Sequence, residues 1–330
     1  MASFSKFGND LYTGARSFNI VGRRRIWFSI AALLVIASVL VPVVKGFNFG
    51  IEFRGGSQFT VSDAGAHPDQ TLATRAVQSV VRGEVPTVLT VGGTTIQVTT
   101  NQLTTAKTDE VQAALGKAYS VSQKKVAASF IGATWGQDIT QQAIRALIAF
   151  IVLAVILMAL YFRTWKMSVA AIVALFHDLI LVAGVYAVTG FEVTPDAVIG
   201  FLTILGYSLY DTVVVFDKIR ENTAELGDRS AKTFSEAVNL AVNQTLVRSI
   251  NTSVVALLPV AAILFIGAAF LGAGTLRDIS LALFVGILSG TYSTIFVAAP
   301  LYSFLREREP EIKKRTKRTT VARTSTGAVR

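Results

Sequence analysis

The sequence predicts an α-helical integral membrane protein with six transmembrane helices. One small extracytoplasmic α+β domain, ferredoxin-like in its β-α-β-β-α-β order, separates helices one and two. Three observations lead there. Hydrophobic residues make up 52% of the 330, charged residues only 16%, and mean hydropathy is +0.54. That balance leaves too little polar side chain to cover a water-soluble surface of this size. The apolar residues gather in runs of about 20, the length that crosses a hydrocarbon layer of about 30 Å at 1.5 Å per residue. Lys and Arg gather beside alternate ends of those runs.

Residues 1–25 form a basic N-terminus with Lys6, Arg16 and Arg23 to Arg25. The first span follows at 26–44. It is long for a signal-peptide core, lacks a small-x-small cleavage site and precedes five more spans, so it is read as retained. Residues 45–142 are the one long interruption. Within it, 47–53 alternates Phe47, Phe49, Ile51 and Phe53, a strand pattern. Residues 70–82 read as a helix with Leu72, Ala76, Val77 and Val80 inward. Residues 85–91 and 94–100 read as strands joined by Gly92–Gly93, 106–118 as a helix and 121–130 as a last strand. Such a sandwich could hold extended peptide on its edge or open face, or serve only as structure.

Five spans follow, at 143–162, 167–188, 198–216, 252–271 and 281–304. Residues 230–244 are amphipathic, with Phe234, Val238 and Val242 on one side and a Thr233-x-x-Glu236 capping box. They are expected to lie along the inner membrane face. Pro259 and Pro300 are expected to bend spans five and six. Gly286-x-x-x-Gly290, followed by Ser293, marks a close-packing face on span six. The tail 306–330 is basic and weakly apolar and is expected to be disordered, serving as a topology anchor or touching anionic lipid or RNA.

Orientation follows the basic residues. Arg163 and Lys166 sit between spans two and three. Lys218, Arg220, Arg229 and Lys232 sit between spans four and five, and Arg306, Arg308, Lys313, Lys314, Arg315, Lys317 and Arg318 follow span six. The turn 190–197 has no basic residue and 272–280 only Arg277. Both termini are therefore expected in the cytoplasm of a multi-pass cell-membrane protein. The formal charge of +10 is accounted for by this topology rather than by nucleic-acid binding.

The chain has no cysteine, which excludes disulfides, thiolate metal sites and Cys nucleophiles, and only two histidines, His67 and His177. No metal or cofactor is expected. No grouping of nucleophile, base and oxyanion donors suggests an enzyme.

Charged groups inside spans are costly and usually face the protein interior with a partner. Asp178 lies mid-span beside His177, and Asp211 lies in the inner half of span four with Ser208 on the same helix face. Arg248 stands at the inner mouth of span five, at a height where its long side chain can reach Asp211. Asp217, at the membrane edge, reads as a solvated charge. Two readings of the buried groups stand: structural pairing, or a carboxylate that loads and releases a proton as water access changes, biasing helix packing through Arg248. His177 is either a packed, hydrogen-bonded residue or a relay.

Several stretches resemble the SecD/SecF family, on its SecF side. They are Gly50-Ile-Glu52-Phe-Arg54-Gly55-Gly56, Ile131-Gly-Ala-Thr-Trp-Gly136, Ala174-Leu-Phe-His177-Asp178, Gly206-Tyr-Ser-Leu-Tyr-Asp211-Thr-Val-Val-Val-Phe-Asp217-Lys-Ile-Arg-Glu221 and Asn243-Gln-Thr-Leu-Val-Arg248-Ser-Ile-Asn-Thr-Ser253. The resemblance covers about residues 20–305. Glu52-Phe-Arg54 departs from the Asp-Phe-Thr triplet common in the family. The resemblance implies a fold of the resistance–nodulation–division superfamily and a SecD-like six-helix partner. It also implies association with the SecYEG channel and a translocating polypeptide, and protons as the energy source for late export. It assigns Asp211 and Arg248 to proton coupling. A scaffold that only stabilises the channel, and a small-molecule or lipid exporter of the same superfamily, are the alternatives. The second is disfavoured by the single small external domain.

Overall fold

The computed structural model describes residues 2–91, 93–162, 164–224, 226, 232–267 and 274–325. Gly92, Arg163, Arg229, residue 230, residues 268–271 of span five, the start of the turn at 272–273 and the end of the tail lie outside the described residues.

Six helices are long and apolar enough to cross a membrane: Arg24–Lys45, Thr134–Phe162, Trp165–Thr189, Pro195–Ala224, Phe234–Gly267 and Leu276–Glu307. We number them spans one to six. Spans three and six are central, with 56% and 61% of their apolar windows buried against 6–11% for spans one, two and five. Leu33, Val43, Val44, Leu160 and Val255 stay exposed on the outer spans. A surface that apolar calls for lipid or another apolar protein face as its solvent.

Local chemistry sets the span ends. Gly190, left-handed at φ 73°, closes span three with its N–H on Tyr186 O at 3.0 Å. Thr194 Oγ1 then accepts from Ala197 N at 3.2 Å and opens span four, whose first residue is Pro195. The expected capping box at Thr233 and Glu236 is present. The helix it opens runs without a break from Phe234 to Ala261, so residues 234–244 are the first turns of span five, not a separate interfacial helix. Their polar side is occupied by the N-terminal segment. Asn243 Oδ1 accepts from Phe18 N at 2.7 Å, and Asn239 Oδ1 from Ile20 N at 2.9 Å and Val21 N at 3.1 Å.

Both expected proline sites carry π-helical turns. Ala262–Gly267 follows Pro259, and Thr294–Ala298 precedes Pro300. Pro300 lacks the N–H that would bond the Phe296 carbonyl four residues back, and that carbonyl lies inside the wider turn Thr294–Ala298; the turn after Pro259 lies beyond the carbonyl that Pro259 frees. The tail also departs from expectation: Pro310–Ser325 is helical. Pro310 suits a first helical position, Ile312 packs on the core and Arg315 Nη1 donates to Leu226 O at 2.8 Å.

The domain between spans one and two has strands β1 Gly56–Val61, β2 Thr87–Val91, β3 Thr95–Thr100 and β4 Val126–Ile131, with helices Gln70–Val80 and Thr105–Ala118. The order β2-β3-β1-β4 is antiparallel throughout. This is the expected β-α-β-β-α-β arrangement. Phe59, Val61, Ile96 and Val98 face the helices, where Ala73, Val77, Val111 and Leu115 complete a buried core. Leu72 is 37% exposed, not inward. Asp69, which accepts from Thr71 N at 2.8 Å, starts that helix in a rotation that turns Ala73, Ala76 and Val77 to the sheet.

The alternating aromatics at 47–53 do not form a strand. Ile51–Arg54 is one helical turn, closed by Gly55 at φ 73° with its N–H on Ile51 O at 2.8 Å. Phe47 and Phe53 instead pack on the end of the helix bundle. Span two starts well before residue 143, its helix reaching back to Ala133, so the domain ends near Ile131.

Candidate functional site

The centre of the bundle holds a polar core built from spans three to six. Asp178 is 1% exposed. Its Oδ2 accepts from Ser208 Oγ of span four at 2.6 Å and from Ser293 Oγ of span six at 2.8 Å. Its Oδ1 lies 3.3 Å from His177 Nδ1. One carboxylate therefore ties three helices together. The His177 ring sits 5.8 Å from that of Tyr292, and its Nε2 is buried without a hydrogen-bond partner among the described residues.

Asp211 is also buried, at 7% exposure. Its Oδ1 accepts from Ser249 Oγ at 2.8 Å, and its Oδ2 is buried with no hydrogen-bond partner among the described residues. The expected Asp211–Arg248 pair is not made. Arg248 extends Nη2 toward the Tyr210 hydroxyl, a long 3.5 Å contact on the exposed side. The helical period explains the exchange. Successive residues are turned about 100° apart, so with Ser249 against Asp211 its neighbour Arg248 must point away.

Ser208 likewise serves Asp178 and not Asp211. Asp217 is exposed, as expected, and accepts from the Tyr161 hydroxyl at 2.5 Å. Sequence reasoning placed Ser293 on the close-packing face of span six but not beside Asp178, and missed Ser249 and the hydroxyl pairs Thr212–Thr294, at 2.8 Å, and Ser253–Thr291. The available signal was small hydroxyl residues at helical spacing near the buried acids.

Spans four and six approach closely because glycine allows it. A Cβ on Gly286 would fall inside the Ile204 side chain, and one on Gly290 would lie 3.1 Å from Ser208 Cβ. That approach brings Ser293 within reach of Asp178. The π turn Thr294–Ala298 begins at the next residue.

A second site lies where the sheet domain meets the bundle. The segment after span one is strapped to the turn between spans three and four. Val193 N donates to Asn48 O at 2.7 Å and Gly50 N to Val193 O at 3.0 Å. Gly56 stands at φ 142° with Thr100 O where a Cβ would be, 2.6 Å away. Gly136 of span two lies against Phe53 O and Gly55 N at 2.8 and 3.0 Å by the same measure. The polar face of the sheet, with Gln58, Thr60 and Gln97, thus closes over a cavity of about 320 Å³ instead of standing open. Glu52, Glu192 and Asp278 line it together with Arg277. Burial pushes the Glu192 carboxyl above its ordinary value, and the neighbouring Glu52 adds to the rise, while Arg54 and the Gln97 amide, at 3.3 Å, oppose it. Glu52 Oε2 is buried with no hydrogen-bond partner, and Arg54 reaches Phe47 O only at 3.4 Å.

Comparison with known proteins places this geometry. Residues 110–308 match the family described as protein export membrane protein SecD/SecF, C-terminal, and residues 41–62 match the SecD/SecF GG motif. The chain is 43% identical over 333 residues to a protein translocase subunit SecF of Streptomyces coelicolor, covering 100% of this chain and 87% of that one. It is 40% identical over 329 residues to a SecF of Mycobacterium tuberculosis, covering 97% and 74%. A crystal structure of SecDF, a translocon-associated membrane protein from Thermus thermophilus, superposes with TM-score 0.79 at 32% identity. That match covers 89% of this chain and 39% of the SecDF chain, so the chain spans about two fifths of that solved protein. With the GG-motif strap, the six spans and the polar core in place, the chain belongs to the SecD/SecF family of protein export membrane proteins.

Proposed function

We propose that the chain is the SecF-type subunit of a SecDF-like assembly and couples the proton-motive force to late polypeptide export. Asp211 is the coupling group in this reading. The observation that carries it is the contrast between two acids at the centre of one bundle. Asp178 is fully engaged by hydroxyls and His177, whereas Asp211 keeps one buried oxygen without a partner. An ionised carboxylate in that state is costly, and either protonation or an approaching donor relieves it. Its protonation state therefore weights one helix arrangement over another. The π turn in span six begins one residue after Ser293 and supplies backbone that can shift beside Asp178. A rotation or slide of span five would bring Arg248, whose guanidinium points outward here, toward Asp211, a second arrangement of the same pair.

A SecD-like six-helix partner fits the exposed apolar faces of the outer spans, and SecYEG is the channel such an assembly would serve. Arg24, Lys166 and Arg306 share one end of the bundle, joined to Glu307 and Glu309. That end is cytoplasmic in this reading.

The test is Asp211→Asn in cells whose export is measured with and without a protonophore. The expected result is normal membrane levels and loss of the protonophore-sensitive part of export. Unchanged export would remove Asp211 from coupling. The scaffold reading predicts that outcome, together with export loss only when Gly286 packing is disturbed.

A further inference from the structure

A further cavity is remote from both sites above. It opens at the terminal end of the bundle, about 700 Å³ in volume, beneath the helix Pro310–Ser325. Among the described residues, Arg220, Arg306, Lys314, Arg315 and Arg318 line it, against one carboxylate, Glu311. Two of these guanidinium groups carry unspent donors. Among the described residues, Arg306 Nε and Arg315 Nη2 are buried with no hydrogen-bond partner, although Arg306 Nη1 reaches Glu309 at 2.9 Å and Arg315 Nη1 reaches Leu226 O at 2.8 Å. Buried donors left unpaired beside several like charges cost free energy that an anion would recover.

The rest of the wall decides the kind of anion. Phe162, Met167 and Phe234 face the same space. Trp165, 68% exposed, stands two residues from Met167 at the start of span three, the interfacial depth that tryptophan favours. Cations on one side and apolar rings on the other match a phosphate joined to a glycerol-ester body. Basic pockets between transmembrane helices hold acidic headgroups in this way.

We propose that this cavity binds the phosphate headgroup of an anionic phospholipid, through Arg315, Arg306, Arg318 and Lys314. The site goes beyond the export reading and does not depend on it. Bound lipid would hold the C-terminal helix against the ends of spans four and six.

The test uses the full purified chain in mild detergent. Phosphatidylglycerol, phosphatidylcholine and inorganic phosphate are each added, with binding counted by native mass spectrometry and thermal stability followed in parallel. Phosphatidylglycerol should bind with about one lipid retained, and phosphatidylcholine should not. The double variant Lys314→Gln/Arg318→Gln, which spares the Arg315–Leu226 contact, should bind at least about tenfold more weakly. Arg315→Gln should weaken binding further. Stabilisation by inorganic phosphate equal to that by phosphatidylglycerol would assign the site to a free anion and overturn the lipid. Equal retention of both lipids, or unchanged binding in a folded double variant, would overturn the site.

Discussion

Truncating each buried acid to alanine separates a packing anchor from an exchangeable group. Asp178→Ala and Asp211→Ala remove the same atoms from sites of similar burial, so their cavity terms cancel to first order. Asp178 accepts from Ser208 and Ser293 at 2.6 and 2.8 Å. Hydrogen bonds to a charged acceptor contribute about 1.5–3 kcal/mol each, and those to a neutral one about 1. Ser293 keeps a bond to Gly290 O at 3.2 Å, whereas Ser208 is left with no acceptor. Asp178→Ala should therefore cost about 3–5 kcal/mol, or about 2 if the acid is protonated. Asp211→Ala loses the one Ser249 bond, leaving that hydroxyl without its acceptor, and also removes an oxygen buried without a partner among the described residues. Those terms offset, leaving about 0–1 kcal/mol. Unfolding by denaturing detergent, followed through the fluorescence of Trp27 packed 4.1 Å from the Phe296 ring, measures both. Export measured on the same variants should fall for Asp211→Ala despite near-native stability. An Asp211→Ala loss as large as that of Asp178→Ala would refute the division of roles.

Gly286→Ala should destabilise by about 1–3 kcal/mol because its methyl falls inside Ile204, while Gly290→Ala should be near neutral, the 3.1 Å contact with Ser208 being offset by helix propensity; equal effects in the same unfolding assay would contradict the packing. Glu192 carries a pH signature. Its folded-state pKa lies above the ordinary 4.5, so the folded protein binds the proton more tightly, and stability is full below about pH 4.5 and declines as pH rises through the raised value. Hydrogen exchange at β3 across that window should show the decline in the native chain and a flatter profile in Glu192→Gln. Gly56→Ala should unfold the sheet domain locally, since φ 142° and Thr100 O at 2.6 Å leave no place for a methyl. Protease sensitivity confined to residues 56–131 is the expected readout, and unchanged resistance would show that the strand shifts freely.

The number of spans, their approximate places, the sheet domain's element order and the presence of Asp178, His177 and Asp211 inside the bundle were all legible in the sequence. Each is a local or periodic property: a run of apolar residues, an alternation, or a charge inside a run. Which donor serves which acid was not legible. Asp178 and Asp211 lie in comparable settings along the chain, yet Ser208 and Ser293 converge on the first while Ser249 alone meets the second. That assignment depends on the rotation and height of each helix against its neighbours, to which the fit of Gly286 around Ile204 contributes. A rotation of one residue, about 100°, exchanges Ser249 for Arg248 as the group facing Asp211, and hydropathy carries no information about it. The aromatics at 47–53 failed for a related reason: alternation marks two faces only if the backbone stays extended, and Gly55 lets it turn back before β1 begins. The sequence by itself determined what enters the membrane and which ionisable groups go with it, because the solvent selects on composition. Only the tertiary structure decided their partners, because interhelical hydrogen bonds demand placement to within a fraction of an ångström.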